Sequence, residues 1–256
     1  MHVTQLTLLT KTHNTGQLKQ IERLLKLNFE GLNVETEVAT AAAGRWVQAT
    51  LSGEDEAIAA NYIRKEFGLC PVSLKMVEKL ATLKGYIVNV GKNHDALFVD
   101  IGVFRPQIVY ATIHLRHLQA TLSDGRKFAL KKIAELFGFY NDMPIYVKVT
   151  AVNRDENVVD AELGTRQLER FAAWRESLLD RLVILGAAVS EVKRMLKYTG
   201  LDRDIITIEP LGMFEHALTC KLGTDAAGLI PLVGRNMRNS RFVVFNSRKT
   251  KEILKL

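Results

Sequence analysis

The chain is poor in the features that mark secreted or membrane-spanning proteins. Its 256 residues include only two cysteines, Cys70 and Cys220, whose isolation argues against a disulfide framework and for a reducing compartment. The longest apolar runs, such as residues 182–189, are too short to cross a bilayer. The N-terminus lacks the basic start and the small-residue cleavage site of a signal peptide. These absences predict a cytoplasmic protein without a membrane segment.

Catalytic signatures are also missing. The sequence contains no P-loop, dinucleotide fingerprint or Gly-x-Ser-x-Gly motif. His114 and His117 share a predicted helix face, but no cysteine or carboxylate cluster lies near them to complete a metal site. The stretch from Gly223 to Gly228 suggests a phosphate loop, yet Asp225 would occupy the anion site at the helix N-terminus and is better explained as a helix cap. We therefore expect no metal, no cofactor and no enzymatic activity.

The positive charge is concentrated in the last third of the chain. The formal net charge is +7. Residues 1–75 hold eight basic and eight acidic side chains, residues 76–165 hold eleven and ten, and residues 166–256 hold sixteen and ten. Between Arg235 and Lys251 there are six basic residues and no acidic one. This distribution predicts that the C-terminal third meets an anion.

Residues 84–103 have the pattern of a β-hairpin. Two β-rich runs flank the polar turn formed by residues 92–95. In the second run, alternation places Phe98 on the face that carries Asp100, opposite a purely aliphatic face. A large apolar ring in that position needs a cover. The cover is either another part of the chain or a stacked nucleobase.

These runs resemble the S-one-type RNA-binding repeat of ribosomal proteins, which is an OB-fold. The resemblance covers roughly residues 80–164 and rests on Gly85-x-Ile87, residues 96–102 and Val147-Lys148-Val149. It departs at His94-Asp95, where the repeat has an aromatic residue and a glycine, and at residues 113–115, where a glycine is missing. Over its full length the chain also resembles an archaeal family of uncharacterised three-part proteins. The resemblance implies a central OB-fold barrel that binds RNA.

The periodicity of apolar residues predicts an α+β multidomain protein. Residues 1–75 have the order β-α-β-β-α, which predicts a ferredoxin-like domain with a scaffold or docking role. Residues 79–164 would form the OB-fold barrel, and residues 165–256 would form a linker helix followed by a small basic α+β domain. The barrel elements that follow the hairpin are predicted as a strand at 107–111, an insert of helices at 114–122 and 127–137, and closing strands at 145–152 and 157–163.

The linker helix, predicted from Thr165 to about Leu185, has a polar stripe opposite its apolar face. The stripe contains Trp174 and three arginines, Arg166, Arg170 and Arg181. Such a stripe would track a nucleic-acid strand, because arginine binds phosphate and indole stacks on bases. Alternatively, neighbouring acidic residues neutralise the arginines and Trp174 packs against another domain.

The candidate nucleic-acid site combines rings that stack on bases with cations that bind phosphates. Its members come from the barrel face, the barrel loops and the basic tail: Lys84, Tyr86, His94, Phe98, Arg105, Arg154, Arg235, Arg238 and Arg241. The competing expectation is that the inserted helices seal the rings of Tyr86 and Phe98.

The sequence thus favours a non-catalytic RNA-binding protein that acts in translation or RNA metabolism. Its candidate partners are single-stranded or structured RNA, the ribosome and transfer RNA. An alternative is a protein–protein adaptor in a transcription or translation assembly. A third hypothesis, a nuclease or RNA-modifying enzyme, needs a carboxylate pair that the sequence does not reveal. The oligomeric state is not determined by the sequence.

Overall fold

The computed structural model describes residues 3–41 and 45–255. The chain forms two compact units. The first comprises Met1–Val77 and Gly102–Val109, and the second comprises Glu78–Ile101 and Tyr110–Leu256. Within the described ranges, no helix has both the length and the apolar character needed to span a bilayer.

The first unit has the predicted order of elements. An antiparallel sheet with strand order β1-β3-β2 is covered by two helices whose buried faces include Ile21, Leu25 and Ile63. After the second helix, the chain returns to β1 through a single bridge between Leu8 and Leu69, where a ferredoxin-like domain would have a fourth strand. The elements are β1 (Val3–Lys11), α1 (Thr15–Asn28), β2 (Glu35–Thr40), β3 (Trp46–Ser52) and α2 (Glu56–Glu66).

A closed five-stranded barrel occupies the middle of the chain, so the predicted barrel is confirmed. Its strand order is β4-β5-β6-β8-β7, and β6 runs parallel to β8. Aliphatic side chains at alternate positions, such as Ile87, Val99 and Val147, are fully buried, as period-two alternation requires. The elements are β4 (Thr82–Val88), β5 (Ala96–Val103), β6 (Val109–His114), α3 (Leu115–Leu122), α4 (Leu130–Phe137), β7 (Pro144–Asn153) and β8 (Val158–Leu163).

The last part of the chain forms a four-stranded antiparallel sheet with order β10-β11-β9-β12. The order β-α-β-β-α-β in sequence, with the first strand between the third and fourth, is that of the ferredoxin-like split β-α-β arrangement. The elements are α5 (Thr165–Glu176), β9 (Arg181–Leu185), α6 (Val189–Thr199), β10 (Ile205–Pro210), β11 (Glu215–Cys220), α7 (Ala226–Asn236), β12 (Arg241–Phe245) and α8 (Ser247–Leu254).

The predicted helix from residue 165 to residue 185 is wrong in its second half. Helix α5 ends at Glu176, and Arg181–Leu185 forms a strand of the sheet with neighbours on both sides. All five residues of this strand are buried. A strand that is covered on both faces loses its alternation, so its sequence cannot be distinguished from a buried helical turn by periodicity alone.

An aromatic cluster joins the barrel insert to the C-terminal sheet. Phe137 at the end of α4 lies 5.2 Å from Phe171 of α5, ring centre to ring centre, and Trp174 of α5 lies 5.3 Å from Phe245 of β12. All four rings are buried, and edge-to-face pairs of this kind stabilise packing beyond the area they bury. Helix α5 therefore lies between the insert and the sheet.

Candidate nucleic-acid interface

The ring of Tyr86 is fully buried, which corrects its predicted role in base stacking. Tyr86 lies between β5 and β7 in the barrel wall, where it is paired with Asp100 and Pro144. A Cβ atom added at Gly212, in the turn between β10 and β11, would lie 3.6 Å from its hydroxyl oxygen. The C-terminal sheet thus covers this ring, and no base can reach it.

Lys84 lies on the same side of the barrel and is only partly exposed. Burial lowers the pKa of its ammonium group, and the positive charges of Arg170 and Arg166 lower that pKa further. The carboxylate of Glu215 has the opposite effect on the pKa. Glu215 is completely buried. Lys84 therefore lies near other charged groups of its own chain, and its role as a phosphate contact stays a prediction.

The polar stripe of α5 packs against the C-terminal sheet. The indole Nε1 of Trp174 and the Nε of Arg170 each donate a hydrogen bond of 2.8 Å to a different oxygen of Glu209 on β10. Arg181 belongs to β9 and donates to the backbone oxygens of Trp174 and Leu179. The packing predicted for Trp174 is confirmed, but Arg170 is paired with Glu209 of β10 rather than with an acidic residue of the adjoining helix face. Of the three arginines, Arg166 is exposed, and its guanidinium lies 4.6 Å from the ring centre of Tyr146.

The outer face of β5 and β6 is partly open. Phe98 is neither buried nor fully exposed, and Tyr110 on β6 has the same intermediate exposure. Burial and the nearby charge of Asp100 raise the pKa of the Tyr110 hydroxyl. Further along this face, the Nε2 of His114 lies 3.2 Å from the Oδ1 of Asp160. The face therefore offers two rings for stacking but carries carboxylates beside them.

His94 and Arg154 project from the two barrel hairpins, and both are exposed. The turn before β5 is shaped by Asn93, whose side chain accepts hydrogen bonds from the backbone N–H groups of residues 95 and 96. The turn between β7 and β8 repeats this arrangement with Asn153. These Asx turns hold the two predicted side chains at loop tips.

Arg105 belongs to the first compact unit. It is exposed, and its backbone N–H donates to the oxygen of Val72. Its guanidinium carbon lies 5.9 Å from the ring centre of Phe104.

The three predicted arginines of the tail lie near the start of β12. Arg235, Arg238 and Arg241 are all exposed, and a nitrogen of Arg241 lies 3.9 Å from a carboxylate oxygen of Asp142. From Arg241 to Phe245, β12 spans about 13 Å at roughly 3.3 Å per residue, and α8 begins two residues later. The basic tail is therefore divided into two groups at opposite ends of one strand.

A basic surface that the sequence did not identify is formed by helices α4 and α8. The hydroxyl of Thr250 donates to the backbone oxygen of Leu136, and the Nζ of Lys249 donates to Glu135 at 2.7 Å. The hydrogen bond from Lys249 and the charge of Lys132 hold the pKa of the Glu135 carboxyl below its ordinary value. We define the α4–α8 basic surface as Lys131, Lys132, Arg248, Lys249, Lys251 and Lys255.

Two signals in the sequence point to the missed residues. Four of the six cations belong to the run at the end of the chain, where basic residues are dense. Tyr110 follows from the alternation of residues 109–114, in which Val109, Ala111 and Ile113 are buried and the residues between them are not. The proximity of Glu135 to Lys249 has no local signal, because 114 residues separate the two.

Metal-binding clusters do not occur in the described part of the chain. Within residues 3–41 and 45–255, no group of three or more His, Cys, Asp or Glu side chains is arranged to hold an ion. Cys70 and Cys220 are both buried and form no disulfide. Burial raises the pKa of the Cys220 thiol to about 11.

Two solved structures show similarity to parts of the chain. The structure of an uncharacterized protein from Methanocaldococcus jannaschii is 15% identical, covers 35% of this chain and 95% of that chain, and has a TM-score of 0.24. A complex of a/eIF2alpha, aDim2p and rRNA from Pyrococcus horikoshii is 8% identical over 48% of this chain and 64% of that chain, with a TM-score of 0.25. Comparison with the curated proteins gives no match.

Three family domains match in succession along the sequence. The DUF2110 N-terminal domain matches residues 5–73, the central domain matches residues 77–175, and the C-terminal domain matches residues 179–245. This succession confirms the resemblance of the whole chain to a three-part family. The chain belongs to the DUF2110 family.

Proposed function

We propose that the protein binds RNA without catalysing a reaction on it, and that the α4–α8 basic surface makes the main phosphate contacts. The observation that carries this proposal is the density of positive charge on two packed helices. The α4–α8 basic surface has six cations, five of them exposed, and its helices carry two carboxylates of their own, Glu135 and Glu252. Asp180 and Asp225 lie near Arg248 only. Such a surface attracts a polyanion and releases its counterions on binding.

The barrel supplies the second part of the proposed interface. Its strand order, with the third strand parallel to the fifth, supports an OB-fold of the S-one type. In that fold the second and third strands form the usual oligonucleotide-binding face. Phe98 and Tyr110 lie on these strands and are partly open. We assign them to base stacking, which contributes about 1–3 kcal/mol per base.

The barrel face and the α4–α8 basic surface differ in the sign of their charge, and this difference assigns them different roles. The barrel face carries Asp100 near Tyr110 and Asp160 beside His114, and carboxylates repel phosphates. The α4–α8 basic surface has the opposite sign. Bases are therefore expected on the barrel face, and phosphates on the helices.

The phosphate contacts can be tested by the salt dependence of binding. Fluorescence anisotropy with labelled mixed-sequence single-stranded RNA should give a Kd of about 100 μM or tighter at moderate salt. The triple variant Lys131→Glu, Arg248→Glu, Lys251→Glu should weaken binding and reduce the slope of log K against log salt by about 2, since each lost contact removes roughly 0.7. The matched control reverses three exposed cations of α1, Lys19, Arg23 and Lys26, and should change the slope much less.

Base stacking is tested separately with Phe98→Leu, which keeps apolar volume but removes the ring. We expect binding to weaken about fivefold or more with an unchanged salt slope, because stacking does not involve counterions. Absence of RNA binding by the wild-type chain would contradict the whole proposal. Equal losses in the α1 control and the α4–α8 variant would contradict the assigned surface.

A further inference from the structure

A groove of about 750 Å³ lies between helix α6 and strand β10 of the C-terminal sheet. Its floor is aliphatic and includes Ile205, Ile208 and the buried Leu196. One wall consists of cationic side chains, Lys193, Arg194 and Lys197. Neither RNA surface described above uses any of these residues.

The groove runs along an open sheet edge. Strand β10 is the last strand in the order β10-β11-β9-β12 and pairs only with β11 among the described strands. An edge strand presents backbone N–H and C=O groups that can pair with another chain. Here the pairing is limited at both ends, by the register shift between Ile205 and Thr207 and by Pro210. The edge therefore suits a short segment rather than a whole additional sheet.

An apolar side chain is displayed at the point where the register shifts. Ile206 is 51% exposed and lines the groove. Together with Ile205 and Ile208 it forms an apolar strip beside a backbone that is available for pairing. Specificity in strand addition comes from pockets that accept alternate side chains of the added segment. This strip would accept aliphatic side chains.

The positive charge of this wall favours a partner that carries negative charge. Lys197 follows Lys193 by four residues and Arg194 by three, so the three side chains lie on one broad face of α6, and all three are exposed. Asp202 is the one carboxylate among the described residues that line the groove. Since the lining contains no aromatic ring, it lacks the stacking surface that single-stranded RNA uses. An acidic peptide fits this lining better than RNA does.

We propose that this groove binds a short extended segment of a partner protein as an added strand on β10. Aliphatic side chains at alternate positions of the segment contact the floor, and neighbouring acidic side chains meet the long side chains of the α6 wall. The protein would then join a protein partner at one surface and RNA at another. This inference does not depend on the RNA-binding proposal.

The test is to select, from a random library of eight-residue peptides, those that bind the full-length wild-type chain. Peptides that also bind the Ile206→Asp variant are removed by counter-selection. We expect peptides with aliphatic side chains at alternate positions, adjacent acidic residues and no central proline. A labelled synthetic peptide of the selected sequence should bind at least about tenfold more weakly to the Lys193→Glu, Lys197→Glu double variant. This variant changes only exposed helix positions, so it remains informative if Ile206→Asp does not fold.

Two controls separate this site from the RNA surface. Lys249→Glu with Lys251→Glu should leave peptide affinity within about twofold, and mixed-sequence RNA should not displace the peptide. Amide hydrogen exchange at residues 206–208 should slow when the peptide binds, because strand addition protects the edge.

Several outcomes would overturn the inference. They are failure to select any peptide, equal binding to the groove variants, and displacement of the peptide by RNA. A wild-type dimer that Ile206→Asp converts to a monomer would assign the groove to a second copy of the chain and would also overturn it.

Discussion

Replacing Glu209 with alanine should loosen the C-terminal sheet from helix α5. The carboxylate accepts one hydrogen bond from the Nε of Arg170 and one from the indole Nε1 of Trp174, each 2.8 Å long. The side chain of Arg170 is 10% exposed and that of Glu209 is 34% exposed. Glu209→Ala would thus leave a buried indole N–H and a nearly buried guanidinium without these acceptors.

The expected loss follows from the two bonds and their environment. A hydrogen bond to a charged group contributes about 1.5–3 kcal/mol, and a buried donor left unsatisfied costs about 1–3 kcal/mol. Water can reach the partly exposed side of Glu209 and replace some of the interaction. We therefore expect the free energy of unfolding to fall by about 2–4 kcal/mol. Glu209→Gln should lose less, because its amide oxygen can still accept one of the bonds.

Urea denaturation followed by tryptophan fluorescence measures this loss. The chain has two tryptophans, so a Trp46→Phe background leaves Trp174 as the reporter. A double-mutant cycle with Trp174→Phe, read by circular dichroism, isolates the indole bond and should give a coupling of about 1–2 kcal/mol. A loss below about 0.5 kcal/mol for Glu209→Ala, or a coupling near zero, would refute the reasoning, since surface substitutions without a structural role fall in that range.

Two further changes test other parts of the fold. Gly102 and Gly91 both have positive φ, but a Cβ at Gly102 would lie 2.6 Å from the Cβ of Cys70, whereas nothing lies within 4 Å of a Cβ at Gly91. The Gly102→Ala variant should therefore be less stable than the Gly91→Ala variant by about 1–3 kcal/mol in thermal denaturation. Equal stabilities of the two variants would contradict the predicted clash. Burial lowers the pKa of His216, although the hydrogen bond with the Ala187 oxygen opposes this effect. The unfolded chain therefore binds a proton at His216 more readily than the folded chain does. The contribution of neutral His216 to stability is full above about pH 6.5 and is lost as the pH falls through the lowered pKa of the folded state. Urea midpoints between pH 7 and pH 5 should then fall more steeply for the wild type than for His216→Gln, and parallel curves would contradict this.

The sequence determined the elements whose signal is local. Side chains of a barrel strand point alternately to the core and to the outer face, and the aliphatic residues Leu97, Val99 and Ile101 predict β5 because all three belong to the core face. Charge counts likewise located the basic end of the chain before any contact was known.

Tertiary structure decided which predicted surfaces stay open. Alternation placed Tyr86 and Phe98 on outer faces of the barrel, but it cannot state what covers a face. Gly212, more than a hundred residues further along the chain, lies against Tyr86, while Phe98 remains partly open. The α4–α8 basic surface likewise forms only because α8 packs against α4, which brings Lys249 into contact with Glu135, 114 positions earlier in the sequence. Periodicity and charge are properties of neighbouring residues, whereas burial and the joining of charges from distant segments arise only when those segments pack together.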